Sequence, residues 1–104
     1  AEVPAYDNVE NVMIQLNTIL RQATDYSLAF KEVSTDQNGM VSRPIEMSFT
    51  ADNYATVRSI VNDLYHCWYR CAIDSISVSA MENLSNNNII QVELSVIFYE
   101  KVNG

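Results

Sequence analysis

The sequence predicts an α+β two-layer sandwich: duplicated α-β-β units forming a four-stranded antiparallel sheet, with two helices on one face. Three observations predict it. Asp7, Asn8 and Val9 open one unit and Asp52, Asn53 and Tyr54 open the next, and the same offset carries Val12 and Leu16 onto Val57 and Val61. In each unit apolar residues first recur at helical spacing and then alternate, the two periods of helix and strand. Two such units interleave into a split β-α-β arrangement, which leaves chemistry open. Finally, 104 residues with 48% apolar content suffice for one two-layer core, so residues 1–104 are expected to form a single domain.

The first helix is expected to start near Asp7, whose side chain can accept an N–H bond at the helix start, with Glu10 completing a capping-box-like pair. Val9, Val12, Met13, Leu16, Ile19, Leu20 and Ala23 then form one apolar stripe, leaving Glu10, Asn11, Gln15, Asn17 and Arg21 to solvent. From Tyr26 the period is two, with Tyr26, Leu28 and Phe30 on one face. A polar turn over Ser34 to Gly39 contains Asn38 and Gly39, residues that accept positive φ, and Ile45, Met47 and Phe49 resume the alternation. Pro44 lacks a ladder donor, which favours an edge position for this second strand, or a start outside regular pairing. The second helix is expected from about Asn53 to Ala72, with Val57, Val61, Leu64, Trp68 and Cys71 on its apolar face and Ser59, Asn62, Asp63, His66 and Arg70 away from it. Ile76, Val78 and Ala80 mark the third strand and Asn86 to Asn88 a turn. The last strand buries Ile90, Val92, Leu94, Val96 and Phe98. Its other face carries Gln91, Glu93 and Ser95 and then Ile97 and Tyr99, a sticky end that reads either as a contact surface or as a spot covered by a terminus.

Thirteen acidic against six basic residues give a net charge of -7, which repels phosphate backbones and anionic lipid surfaces, so nucleic acid is not an expected partner. No run approaches the roughly 18 apolar residues of a bilayer span, and no charged, apolar and small-residue pattern marks a signal peptide in the sequence. The chain starts at Ala1 rather than methionine and is expected to be a processed piece of a longer protein.

Reactive constellations are scarce. Cys67 and Cys71, four apart on the expected helix, would hold their Cβ atoms roughly 5 to 6 Å apart, beyond the roughly 3.5 to 4.5 Å of a disulfide. They read as small core-facing thiols, with a redox or intermolecular role as the alternative. With one histidine and no second Cys or His pair, no metal site assembles. His66 could touch Asp63 one turn earlier, a pair that a solvated helix face also explains. No nucleophile elbow or triad occurs, and with only Gly39 and Gly104 no phosphate cradle can form. No catalytic residue and no cofactor is expected. Asn83, Leu84 and Ser85 fit a glycosylation pattern common by chance.

A strand, Tyr54 at a helix start, a long helix ending at Arg70, an Ile-rich strand with Ile73, Ile76 and Val78, and a last strand ending Phe98, Tyr99 resemble the periplasmic domain of PilO-type pilus assembly proteins. Upstream, Val3 and Pro4, a helix through Leu16 and Leu20, and the strand from Tyr26 are similar to how that family begins its domain. The resemblance covers nearly the whole chain. Its motifs are packing patterns, and GspM and PilN domains share the plan. The family often carries Gly two residues before the helix-opening Tyr, where this chain has Asp52, which leaves the subfamily open. The resemblance implies a ferredoxin-like domain of an inner-membrane alignment complex, in type IV pilus or type II secretion machinery, on the extracytoplasmic face. It also implies an upstream transmembrane helix, and as partners a second copy, a PilN/PilO-like relative or other assembly components.

Aromatic side chains provide the expected contacts, since they supply large contact area at modest entropic cost. Tyr65 and Tyr69, at i and i+4 along the second helix, either border the core or line a dimer face, and Ile97 and Tyr99 extend the candidate interface. Trp68 is expected in the core. A non-catalytic assembly module dimerising through helix flank or strand edge is the leading expectation. A small-molecule sensor, with Asn38–Gly39 as its one candidate ligand turn, is the alternative.

Overall fold

The structure, a computed structural model, describes residues 2–82 and 88–102. Helix α1 spans Val9–Leu20, β1 Asp25–Phe30, β2 Ser34–Thr35, β3 Met40–Ala51, α2 Tyr54–Tyr65, β4 Cys71–Glu82 and β5 Asn88–Lys101. The order along the sheet is β1-β3-β5-β4, every pair antiparallel, and the two-residue β2 adds itself to β3. The duplicated plan holds: the second long strand of each unit lies in the centre and the first lies at an edge. The expected turn over Asn86 to Asn88 lies outside the described residues except for Asn88, which opens β5, as does the Asn83–Ser85 tripeptide.

The core lies between the sheet and one layer of helices. Val12, Leu16, Ile19 and Leu20 of α1 and Val57, Ile60 and Leu64 of α2 bury against Ile45, Met47, Phe49 and Ala51 of β3 and Ile90, Val92, Leu94, Val96 and Phe98 of β5. Each fully buried aliphatic or aromatic side chain contributes about 1.5–3 kcal/mol through area removed from water. Tyr26, Leu28 and Phe30 of β1 pack at its margin. Met13, which lies roughly 100° round the helix from Val12, leaves the expected stripe and is exposed.

Helix α1 starts two residues later than expected. Asp7 lies outside it and accepts from Val9 N at 3.0 Å, Asn8 takes the cap position without a side-chain cap bond, and no capping box closes through Glu10 among the described residues. At the turn before β3, Gly39 has φ +81°, the left-handed region that glycine adopts without a Cβ penalty.

Pro44 does not put its strand at an edge. Strand β3 is internal, and the Pro44 carbonyl accepts from Lys31 N at 2.9 Å on the β1 side. A strand residue's N and C=O project to the same side, so the missing donor also faces β1. There β1 has ended at Phe30↔Ile45 and β2 begins only at Ser34↔Ser42, and no donor is required.

Helix α2 stops at Tyr65, seven residues short of the expectation. Its start is as expected: Asn53 Oδ1 accepts from Thr56 N at 2.8 Å. At its end the His66 N–H bonds Asn62 O at 3.1 Å and Cys67 N bonds Leu64 O at 3.2 Å, closing the last turn without a glycine. The next residues run alongside the N-terminal segment: Glu2 N donates to Trp68 O at 3.0 Å and Arg70 N to Glu2 O at 2.6 Å. This path turns Trp68 out of the core, and it is 63% exposed.

Candidate interaction surfaces

The N-terminal segment is fastened to the sheet at two levels. Glu2 bridges Tyr69 and Ala5 bridges Lys101, both in parallel sense, with Lys101 N donating to Pro4 O at 2.8 Å and Tyr6 N to Lys101 O at 2.9 Å. Beside this strap lies a buried charge network. Glu100 follows Phe98 on the core face of β5 and is 0% exposed; it accepts from Arg43 Nε at 2.7 Å, Arg43 Nη2 at 3.2 Å and Asn8 N at 3.1 Å. Arg43 Nη2 also donates to Asp7 Oδ1 at 2.6 Å, and the guanidinium carbon lies 5.9 Å from the centroid of the Tyr6 ring. The hydrogen bond to Glu100 raises the Arg43 pKa, with the charges of Glu100 and Asp7 adding and burial opposing. The network fixes residues 6–8, and hence the start of α1, to β3 and β5. Sequence reasoning missed it, although Arg43 and Glu100 continue the buried alternation of their strands.

The four residues expected at an interface do not form one patch. Tyr65, 70% exposed, ends α2 on the helix side of the sheet. Tyr69 lies beyond the helix, so the two do not stack at i and i+4; Tyr69 is half-buried against the core. Ile97 and Tyr99, also half-buried, point from β5 to the helix-free face, where the register sets Ile97 beside Pro44 and Ala72.

Both thiols are free. They are not paired along a helix, since Cys67 follows α2 and Cys71 opens β4. Cys67 Sγ donates to Gln15 Oε1 at 3.2 Å and Cys71 Sγ to Leu64 O at 3.5 Å. Burial raises the Cys67 pKa, and burial with the neighbouring Cys67 pushes Cys71 up to about 11. Neither thiol has the electropositive surroundings that make a nucleophile. His66 Nδ1 lies 2.8 Å from Asn62 O, while Asp63 Oδ2 accepts from Gln22 Nε2 at 2.8 Å, so the His66–Asp63 contact that the spacing allows is not made. Among the described residues no three His, Cys, Asp or Glu side chains converge as metal ligands.

At the candidate ligand turn the Asp36 carboxylate accepts from Asn38 N at 2.8 Å and Met40 N at 3.0 Å, and Gly39 N bonds Asp36 O at 3.1 Å. Its backbone donors are consumed internally and form no cradle. The helix-free face holds a shallow concavity lined by Ser27, Ser48, Ser75, Ser77, Glu46 and Glu93. On the opposite face Cys71 and Ile73 at the start of β4 pack against the core, but the helices leave the rest of that strand open, so Ile76 and Val78 are 46% and 44% exposed although they stand beside buried Leu94 and Val92.

No family model and no curated protein sequence matches the chain. Solved structures do. The type 4 fimbrial biogenesis protein PilO from Pseudomonas aeruginosa superposes with a TM-score of 0.72 at 12% identity, covering 91% of this chain and 72% of that one. A protein from Akkermansia muciniphila, solved without its transmembrane region, gives 0.71 at 15% identity, covering 90% of this chain and 54% of its own. A second structure from that organism gives 0.70 at 13%, covering 89% and 50%. This chain thus spans about half the length of the Akkermansia chains. Identities this low establish the fold alone, and that fold, an α+β sandwich of duplicated α-β-β units with an antiparallel sheet, is PilO-like.

Proposed function

We propose that residues 1–104 form one ferredoxin-like domain that serves as a non-catalytic structural component of a pilus-type inner-membrane assembly, in a type IV pilus or type II secretion system. The observation that carries this reading is the match of nine-tenths of the chain to PilO at a TM-score of 0.72. The domain works on the extracytoplasmic face and is held to the membrane by an upstream anchor; no helix among the described residues is long and apolar enough to cross a bilayer. It acts by pairing with a second copy or a PilN/PilO-like relative, with Tyr65 and Tyr69 as contacts on the helix side and Ile97 and Tyr99 on the open face. The exposed aromatics Tyr54, Tyr65 and Trp68 support a role in contact.

Gene deletion in the source organism, with counting of surface pili and of secreted protein, tests the role. Affinity capture of the tagged full-length protein from membranes tests the partners. Loss of pili or secretion with co-purification of assembly components is the expected result; normal pili, normal secretion and no such co-purification would sink the proposal.

A further inference from the structure

The outer edge of β4 has the properties of a pairing site. It is twelve residues long, and among the described residues nothing pairs with it. Folded proteins protect such edges with charge, proline, brevity or a covering element. The opposite edge strand, β1, is six residues long, opens on Asp25 and is followed by Lys31 and Glu32. By contrast, the β4 stretch Ser75-Ile76-Ser77-Val78-Ser79-Ala80-Met81 carries no charge and no proline, and the register irregularity between Ile73 and Ser75 lies before it rather than within it.

Register shows which backbone groups are free. Pro44 O faces β1, so the peptide groups of alternate β3 residues Ile45, Met47 and Phe49 face β5 and engage Val96, Leu94 and Val92. Alternation then points Ser95, Glu93 and Gln91 towards β4, where they engage Ser75, Ser77 and Ser79. The N–H and C=O groups of Ile76, Val78 and Ala80 therefore project outward. The side chains of those same residues stand on the helix side, where α2 leaves them uncovered. Gln22, just past the end of α1, bonds Ser59 and Asp63, fixing which flank of α2 faces the α1 side; by helical spacing Tyr54, Val61 and Tyr65 lie on the other flank, towards β4.

We propose that this edge pairs with β4 of a second copy, antiparallel and centred on Ser77. The inference rests on the assembly reading above and names the surface through which it works. The strip is self-complementary: about Ser77, Ile76 falls opposite Val78 of the other copy and Ser75 opposite Ser79, so apolar meets apolar on the helix side and serine meets serine on the open face. Asp74 falls opposite Ala80, so no carboxylates confront each other. In a chain of net charge -7, an uncharged strip is where two copies meet with least repulsion. The pairing joins two sheets into one and leaves the two Val61–Tyr65 flanks facing each other across the two β4 strands, roughly 10 Å of sheet at ordinary strand spacing.

Sedimentation of the wild type and Val78→Lys across a wide concentration range, with Ser77→Cys and Ser48→Cys oxidised alongside the parent protein, tests this. Ser77 and its mate form a non-hydrogen-bonded pair, the closer kind in an antiparallel ladder and within reach of a disulfide; Ser48 lies on the same face of internal β3. The expected result is a reversible wild-type dimer, weakened at least about tenfold by Val78→Lys with an unchanged melting temperature at dilutions where both are monomeric, and an interchain disulfide in Ser77→Cys but not in Ser48→Cys or the parent. A strictly monomeric wild type with no Ser77→Cys cross-link overturns the self-pairing. A dimer indifferent to Val78→Lys and without that cross-link places the contact elsewhere and overturns the edge. In both cases the assembly reading is decided separately, by piliation, secretion and co-purification.

Discussion

At the scale of single residues, the costliest groups in this molecule are the buried charges. Truncating one member of the Arg43–Glu100 pair leaves the other uncompensated inside the protein, so Glu100→Ala is expected to destabilise by about 3–5 kcal/mol in urea titrations. Replacing both, Arg43→Met with Glu100→Leu, is expected to recover most of that loss, because the pair's attraction largely offsets its own desolvation; additive losses would contradict this account. Trp68 gives the opposite contrast. Trp68→Ala is expected to cost under about 1 kcal/mol, against roughly 3–5 for a core tryptophan. The thiols make a third test. Cys71 keeps its proton when folded up to about pH 11, whereas the unfolded thiol gives it up near its ordinary 9.0. The contribution to stability is thus fully present below pH 9 and is lost as pH rises through 11. Iodoacetamide labelling of Cys71 followed by mass spectrometry at pH 8 is expected to be at least about tenfold slower in the native than in the urea-unfolded protein. The alternation that located Phe98 and Ile45 also passes through Glu100 and Arg43; their charge masked them, since a lone charge is rarely buried and the partner that licenses burial lies 57 positions away.

At the scale of elements, what was legible depended on whether local and tertiary preferences agreed. The start of α2 was readable because Asn53 satisfies it from within four residues; Asn53→Ala is expected to cost about 1 kcal/mol, read from the thermal midpoint. Its end was not readable. Tyr65 to Cys71 keeps helical spacing and contains no glycine or proline, yet the pairing of Cys71 with Phe98 and of Glu2 with the Trp68–Arg70 segment draws this stretch into the sheet, and tertiary pairing overrides a weak local preference. Pro44 misled for a related reason. A missing donor matters only on the side where a neighbour needs it, and the gap between β1 and β2 is set by chain path rather than by the residue. The candidate contacts are the most dispersed: Tyr65 and Tyr69 form one stripe only on a helix that continues past Tyr65, and Ile97 and Tyr99 lie on the other face.

At the scale of the whole molecule, the sheet layer is wider than the helix layer. Duplication of an α-β-β unit yields two helices for four long strands, and β4 beyond Ile73 has no cover of its own. A second β4 edge satisfies the free backbone groups and sets Ile76 beside Val78 of the other copy, and the charge of the molecule dictates how such an association responds to salt. Two copies at -7 repel at long range, whereas the Ser75–Met81 strip contributes no ion pair that salt could weaken. Raising ionic strength shortens the screening length, to about 10 Å at 0.1 M, and so removes repulsion without weakening the strand contact. The dimer dissociation constant is therefore expected to fall between low salt and about 0.15 M, and sedimentation at matched concentrations measures it. A constant that rises with salt would mean that opposite charges hold the copies together, and would direct the search away from β4 to charged surface.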